Sequence, residues 1–297
     1  MVNYPNLTPS QQKDLPALIQ PASMMAAKFE DSTHQLWQCQ TIDGPMMLKV
    51  CNQQIVAASS FWQGMNSLFA LSFPACLADM AAIYKQVQYI SPLIVPEYIA
   101  SDFYESASYI LVRLIEGDDI NAEAISDEMV QNLAHHISDC HRHQSATWGT
   151  LLTPQLSEDQ WSTRLQCTLR QLATTRAIPQ NILQDALQQA GMIKEIECVS
   201  IMIDLRWDQF LHQNGKLTAI VDLDAFVTGP RALELVLLEY LLDKRQAVIF
   251  KQYYEKTHLM PDLTKVRTAY RVLLFLMNVL GDTDIKHWMN SPHYLGN

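Results

Sequence analysis

Glycine is scarce in this chain, with nine in 297 residues against thirteen prolines and thirteen methionines. So few glycines leave little backbone that can adopt the left-handed conformations open to glycine at no steric cost. The methionines suggest a soft, adaptable core. Basic residues are also outnumbered, 21 Lys and Arg against 31 Asp and Glu, for a net charge of −10. No run of like charge stands out. Recognition of nucleic-acid phosphates needs clustered Lys and Arg, so no nucleic-acid partner is expected. The six cysteines, Cys39, Cys51, Cys76, Cys140, Cys167 and Cys198, form no Cys-x-x-Cys pair. They read as free thiols in a reducing cytosol, not as a disulfide frame or a zinc site. No stretch approaches the roughly 18 uncharged apolar residues that a membrane span requires. The opening MVNYPNLTPSQQKDLP lacks the basic-then-apolar order of a signal peptide. A cytoplasmic protein with no membrane partner is the expectation. Internal repeats and low-complexity segments are absent as well.

What is present is a sizeable core, 48% hydrophobic residues with 18% charged, in a chain long enough for one large domain or two lobes. The most informative stretch runs from 199 to 230. Val199 to Ile203 is a short apolar run that ends at Asp204. Phe210 and Leu211 resume apolar character. Asn214-Gly215 tolerates positive φ and predicts a tight hairpin turn. Leu217 to Val221 forms the return strand, with Asp222-Leu223-Asp224 at its end. Carboxylates at both outer ends of one hairpin can be brought together. Three close carboxylates repel unless a cation or proton intervenes, and a set of oxygen-only ligands points to Mg²⁺.

Upstream, residues 1–20 read as a leading helix with a cap at Thr8-Pro9-Ser10. Ala22 to Lys28, Leu36 to Thr41 and Met46 to Val50 read as three antiparallel strands, the third carrying Lys49. Glu30-Asp31-Ser32-Thr33-His34 lies between the first two, and Ile42-Asp43-Gly44-Pro45 is a turn. Residues 53–70 and 74–88 are predicted helical, and Asp79 is the only acidic residue between Asn52 and Pro96. Ser108 to Ile115 is a strongly apolar strand ended by Glu116-Gly117. Helices follow over 118–143, 157–176, 179–194, 231–250 and 262–280. The first of these carries His135, His136, His141 and His143. Only His136 and Cys140 stand at i, i+4, short of the three or four ligands that a zinc site needs.

In order and spacing, Met202-Ile203-Asp204-Leu205, Gln209, Val221-Asp222-Leu223-Asp224 and Gly229-Pro230 resemble the signature of the aminoglycoside phosphotransferase and choline kinase-like superfamily. That signature reads His-Gly-Asp-Leu-x-x-x-Asn, a hairpin, Ile-Asp-Phe/Trp-Asp/Glu and Gly-Pro; fructosamine and ketosamine kinases are similar. The chain departs from it at Met202 for His, Ile203 for Gly and Gln209 for Asn. The resemblance implies an α+β, two-lobed protein-kinase-like fold, with a small antiparallel-sheet lobe over 1–117 and a mainly helical lobe over 118–297. It implies ATP, or another nucleoside triphosphate, with Mg²⁺. Asp204 would be the base toward a substrate hydroxyl, and Gln209, Asp222 and Asp224 would hold Mg²⁺. Lys49 would pair with phosphates, Ser32, Thr33 and His34 would stand in for a Ser-x-Asn-like element of the first loop, and Glu116 would lie in the hinge that reads the adenine edge. His141, in Cys140-His141, would brace the end of its helix, and Asp79 is the candidate carboxylate partner for Lys49. The substrate implied is a small alcohol. Asp208, Glu234 and Glu239 near the site in sequence favour an amine-bearing sugar or alcohol. The alternative is a non-catalytic nucleotide-binding pseudokinase or scaffold of the same fold, a reading drawn from Met202, the glycine-free first loop and the missing helix glutamate.

Overall fold

The computed structural model describes residues 2–26, 32–104 and 108–296. Glu30 and Asp31 of the first loop lie outside the described residues, as do the last two positions of the strand expected over Ala22 to Lys28. The leading helix shrinks to one turn, α1 (Pro9–Gln12), closed by a capping box between Thr8 and Gln11. Pro16, which has no N–H to donate to a helix, gives its carbonyl to the Tyr4 hydroxyl instead. Tyr4, Leu7 and Leu18 then cover the outer face of the first sheet, against Cys39, Met46, Leu48, Val50, Tyr109 and Leu111.

That sheet has five antiparallel strands. β1 (Ser23–Met24), β2 (His34–Thr41) and β3 (Gly44–Cys51) come first. Helices α2 (Gln53–Ala58), α3 (Ser60–Phe69) and α4 (Met80–Ile90) intervene before β4 (Tyr98–Asp102) and β5 (Tyr109–Arg113). The order is β1-β2-β3-β5-β4. Gly44, at φ +106°, closes the turn between β2 and β3, where Thr41 donates its hydroxyl to the Gly44 carbonyl at 2.8 Å. Alternation along β3 sends Met46, Leu48 and Val50 outward, so Met47, Lys49 and Cys51 point the other way. The helix expected over 53–70 breaks at Ser59, which is extended and caps α3 by accepting the Trp62 N–H.

The second half begins with β6 (Asp118–Asp119), then α5 (Asp127–His141), β7 (Thr147–Thr150), β8 (Leu156–Ser157), α6 (Trp161–Leu172) and α7 (Gln180–Met192). After these come β9 (Cys198–Met202), β10 (Phe210–Gln213), β11 (Lys216–Ile220) and β12 (Phe226–Pro230). Helices α8 (Arg231–Leu241), α9 (Lys244–Tyr254), α10 (Arg267–Leu276) and α11 (Ile285–Met289) complete it. Two expected helices are cut. α5 starts only at Asp127, capped by Ser126, because β6 first pairs with β10. The helix over 231–250 divides at Asp243, whose side chain forms a capping box with Gln246. The Asn214-Gly215 turn forms as read, with φ of 52° and 80°. Among the described residues, no helix is long and apolar enough to cross a membrane.

One register positions the site. β9 and β12 pair antiparallel with Met202 opposite Phe226. Asp204, just beyond the end of β9, therefore lies beside Asp222 and Asp224, just before the start of β12. α3 ties the halves together. Arg164 of α6 donates to the carbonyls of Leu68 (2.9 Å) and Ser67 (2.6 Å), and Gly64 lies so close to Met277 that a Cβ there would stand 2.6 Å from its Cγ.

Candidate active site

A cleft of about 780 Å³ opens between the first sheet and the second half. Its apolar walls are Leu36, Met47 and Val112 on the sheet side, and Leu211 and Val221 on the other. Lys49, Asp204, Gln209 and Asp222 also line it, as do Ser32 and Thr33 from the first loop.

Lys49 is buried on β3. Its ammonium lies 2.9 Å from Asp222 Oδ1 and donates to the Val221 carbonyl at 3.0 Å. Burial alone would lower its pKa, but Asp222, Tyr84 and Asp224 more than offset that and hold it above its ordinary value, fully charged. Asp79 is exposed at the end of the turn before α4 and is not the group that meets Lys49. The helix layer instead offers Tyr84 of α4, 2% exposed, with no hydrogen-bond partner for its hydroxyl among the described residues.

Asp204 accepts a 2.9 Å hydrogen bond from Gln209 Nε2. Arg206 Nε stands 3.3 Å from both Asp204 Oδ1 and Asp208 Oδ1. Burial pushes the Asp204 carboxyl up to about 7; Arg206 opposes this, and Asp222 and Asp208 add to it. The backbone around Asp204 is braced from α8. Glu234, 1% exposed, accepts the Met202 N–H at 2.6 Å through Oε1 and meets His141 Nε2 at 2.8 Å through Oε2. His141 Nδ1 reaches the Tyr254 hydroxyl at 2.8 Å. His141 thus stands where a brace was expected, and Glu234 was missed in that role. The expectation that Glu234 and Glu239 contribute negative charge near a substrate is corrected, since neither lines the cleft. Glu239, 2% exposed, is held by Arg267 and Arg271, because a buried carboxylate needs charged partners. His136 is likewise structural, with Nδ1 at 2.9 Å from the Ser91 hydroxyl.

Asp222 and Asp224 differ sharply. Burial pushes Asp222 up, but Lys49 and His34 outweigh it and hold its carboxyl below the usual range. Asp224 is 4% exposed and lies beneath the cleft wall, with both carboxylate oxygens buried and without a hydrogen bond among the described residues. Burial and the neighbouring Asp222 push it up to about 7. His34 Nε2 lies 3.3 Å from its Oδ2. Burial lowers the His34 pKa to about 4, so the ring is neutral near pH 7. The donor set of Asp222, Gln209 and Asp224 is all oxygen, which suits Mg²⁺, and the unpartnered oxygens of Asp224 leave acceptor capacity unused. As the side chains stand, however, no group of three His, Cys, Asp or Glu among the described residues is arranged to hold a metal ion.

At the hinge, Leu114, Ile115 and Gly117 line the cleft. Glu116 is exposed, and its carbonyl accepts from Gln213 Nε2 at 3.0 Å. Gly117 permits the close approach, since a Cβ there would stand 2.9 Å from Leu211 Cβ. Asp118 and Asp119 of β6 follow on the cleft rim, together with Asp208. Sequence reading passed over both hinge carboxylates, although the Asp-Asp pair directly after Glu116-Gly117 was a usable signal.

No family model matches the chain, and no curated protein matches its sequence. Solved structures do match its fold. An assigned fructosamine-3-kinase from Haemophilus somnus 129PT superposes with a TM-score of 0.62 at 11% identity, over 95% of this chain and 93% of that one. Macrolide 2'-phosphotransferase MphH from Brachybacterium faecium gives 0.55 at 12%, over 92% of each chain. A thermostable mutant of aminoglycoside phosphotransferase APH(4)-Ia, in ternary complex with ADP and hygromycin B, gives 0.58 at 13%, over 91% of this chain and 90% of that one. The α+β, two-lobed protein-kinase-like fold that the resemblance implied is the fold of this chain.

Proposed function

We propose that this protein is a nucleotide-dependent phosphotransferase that moves the terminal phosphoryl group of ATP, or of another nucleoside triphosphate, onto a hydroxyl of a small molecule. The observation that carries this reading is the convergence of Lys49, Asp204, Gln209 and Asp222 on one cleft, from β3, the loop after β9 and the end of the β10–β11 hairpin. Phosphoryl transfer needs little covalent chemistry from the protein, mainly positioning and charge neutralisation. In this reading the apolar walls clasp the base and Lys49 steadies the phosphates. Gln209 holds the Asp204 carboxylate in place by its 2.9 Å bond, so that Asp204 can accept the proton of the acceptor hydroxyl. Asp222 and the Gln209 carbonyl oxygen would hold Mg²⁺, which when bound neutralises charge on the phosphates. Asp224 stands behind them, against His34. Ser32 and Thr33 would approach the phosphates from the first loop, and the hinge at Leu114 to Gly117 would meet the nucleobase edge. Asp118, Asp119 and Asp208 make the cleft rim acidic, which favours an amine-bearing sugar or alcohol as acceptor. The division at about 117 into a nucleotide lobe and a helical lobe, and a cytoplasmic location in keeping with free thiols, belong to the same reading.

A second reading has one specific observation in its favour. Lys49 is paired to Asp222, and no helix carboxylate among the described residues shares it, a departure that favours nucleotide binding without turnover. Two measurements separate the readings. ATP, ADP and GTP are first screened by thermal shift with and without Mg²⁺, since a ligand of the native state raises the midpoint. Amino sugars, amino alcohols and neutral sugars are then screened for ADP release. A nucleotide-dependent shift with substrate-stimulated ADP release supports the transferase. A shift with no stimulated release supports the pseudoenzyme, and no shift with any nucleotide rejects both.

A further inference from the structure

Asp224 is a carboxylate buried at 4% exposure with neither oxygen in a hydrogen bond among the described residues. Such a group is unfavourable unless something compensates for its lost water. His34 Nε2 lies 3.3 Å from Asp224 Oδ2 and is itself buried. The two come from opposite sides of the cleft, His34 from the first residue of β2 and Asp224 from the turn before β12. His34 is not free to swing away. Its Nδ1 stands 3.3 Å from the Thr33 hydroxyl, and its ring meets Phe73 edge-on at 5.5 Å. Phe73 in turn is stacked on Trp62 at 3.9 Å and 11°. With the Thr33 hydroxyl donating to Nδ1, the ring hydrogen sits on Nε2, which approaches the Asp224 carboxylate to 3.3 Å without hydrogen-bond geometry.

We propose that His34 is a positioning residue for the phosphotransferase reaction, an interlobe strut that fixes the Asp222–Asp224 segment against the sheet and so sets where the Asp222 carboxylate meets the nucleotide phosphates. Asp224 then serves as the anchor of that segment rather than as a direct ligand. The inference rests on the reading of the cleft as a phosphotransferase site, and it gives His34, until now only part of the first-loop Ser32-Thr33-His34 element, a contact across the cleft to Asp224. The ring does its work without touching substrate, so its loss should act on the order of the segment and on nucleotide affinity more than on the proton transfer at Asp204.

The test uses the full-length protein. His34→Phe keeps the ring and its contact with Phe73 but removes the donor. His34→Gln retains an amide donor of similar reach. Asp224→Asn probes the other side of the contact. Amide hydrogen exchange of residues 222–226 is measured in the free protein, and the affinity for AMP-PNP with Mg²⁺ by calorimetry. His34→Phe should speed exchange in that segment and weaken nucleotide binding about tenfold, the scale of one lost close polar contact to a charged group. His34→Gln should recover most of both. Adding Asp224→Asn to His34→Phe should cost little further, because the two residues share one contact. Unchanged exchange and affinity in His34→Phe, or effects of the two substitutions that simply add, would overturn the proposal. If His34→Phe fails to fold, the comparison of Asp224→Asn with His34→Gln decides: exchange sped by the first and spared by the second supports the strut, and equal exchange in the two rejects it. Failure of the wild-type protein to bind any nucleotide would defeat the functional reading alone, since the exchange arm does not depend on it.

Discussion

Lys49 Nζ lies 2.9 Å from Asp222 Oδ1, so the cation of β3 and the carboxylate at the end of the β10–β11 hairpin neutralise each other. A nucleotide phosphate has to compete for that ammonium. Lys49→Ala should therefore weaken ATP binding by roughly ten- to hundredfold, the worth of a hydrogen bond to a charged group. It should leave the fold intact, because Asp222 keeps 28% exposure and can recover water. Calorimetric titration checks the first point and circular dichroism the second; unchanged affinity would remove Lys49 from the site.

Asp204 is the candidate base. Asp204→Asn should cut turnover by about 10²-fold or more, the usual scale for a lost general base, with ATP affinity nearly unchanged. Asp222→Asn should reduce Mg²⁺-dependent ATP binding instead. Initial rates of ADP release and nucleotide titrations on the two variants distinguish the roles, and matching behaviour in both assays would argue against the assignment.

Gln209 departs from the asparagine of the resembled signature, yet its longer arm is what brings Nε2 to 2.9 Å from Asp204 Oδ2. Gln209→Asn shortens that arm by one methylene. The expected outcome is lower turnover than wild type, with a smaller effect on KM. A faster Gln209→Asn enzyme would mean that glutamine is a weakened version of the position and not a fitted one.

Glu234 is predicted to matter for stability as well as for the loop. Its two oxygens hold the Met202 N–H and His141 in a site 1% exposed. Glu234→Ala leaves both partners buried and unmet and should cost about 3 kcal/mol or more. Urea unfolding of the variant measures this directly. A loss under about 0.5 kcal/mol, within the range of an ordinary surface change, would show that the brace is dispensable.

Acid should destabilise the protein through His136. Burial, with His141 adding to it, lowers the His136 pKa to about 3, while the unfolded value is about 6.5. Below that unfolded value the unfolded chain takes up a proton that the native ring refuses. The stability from the neutral ring is thus fully present above pH 6.5 and is lost as the pH falls toward 3, at up to ~1.4 kcal/mol per pH unit. His136→Asn should flatten the stability profile between pH 6.5 and 4 relative to wild type in urea unfolding. An equal slope in both proteins would assign the acid sensitivity elsewhere.

Local chemistry was legible in the sequence because its causes are local. Asn214-Gly215 accepts positive φ at both positions, so the hairpin forms wherever its strands are carried. The apolar run ended by Glu116-Gly117 is a buried strand for the same reason, and Asp204, Gln209 and Asp222 sit at spacings that a loop and one hairpin bring together. Helix continuity was less legible. An apolar period runs straight through Ser59 and Asp243, but each side chain satisfies the amide of a new helix start better than it fits a helix interior. Only the tertiary structure decided which charges face the cleft. Glu234 and Glu239 lie on the helix that follows Gly229-Pro230, and nothing in their spacing reveals that His141, Arg267 and Arg271 take them into the core. The partnership of His34 with Asp224 belongs to the same class, as does that of Lys49 with the Val221 carbonyl, 172 positions away. Such contacts depend on how β3, β9 and β12 are docked, and the burial that makes them strong arises only when the two halves close on each other.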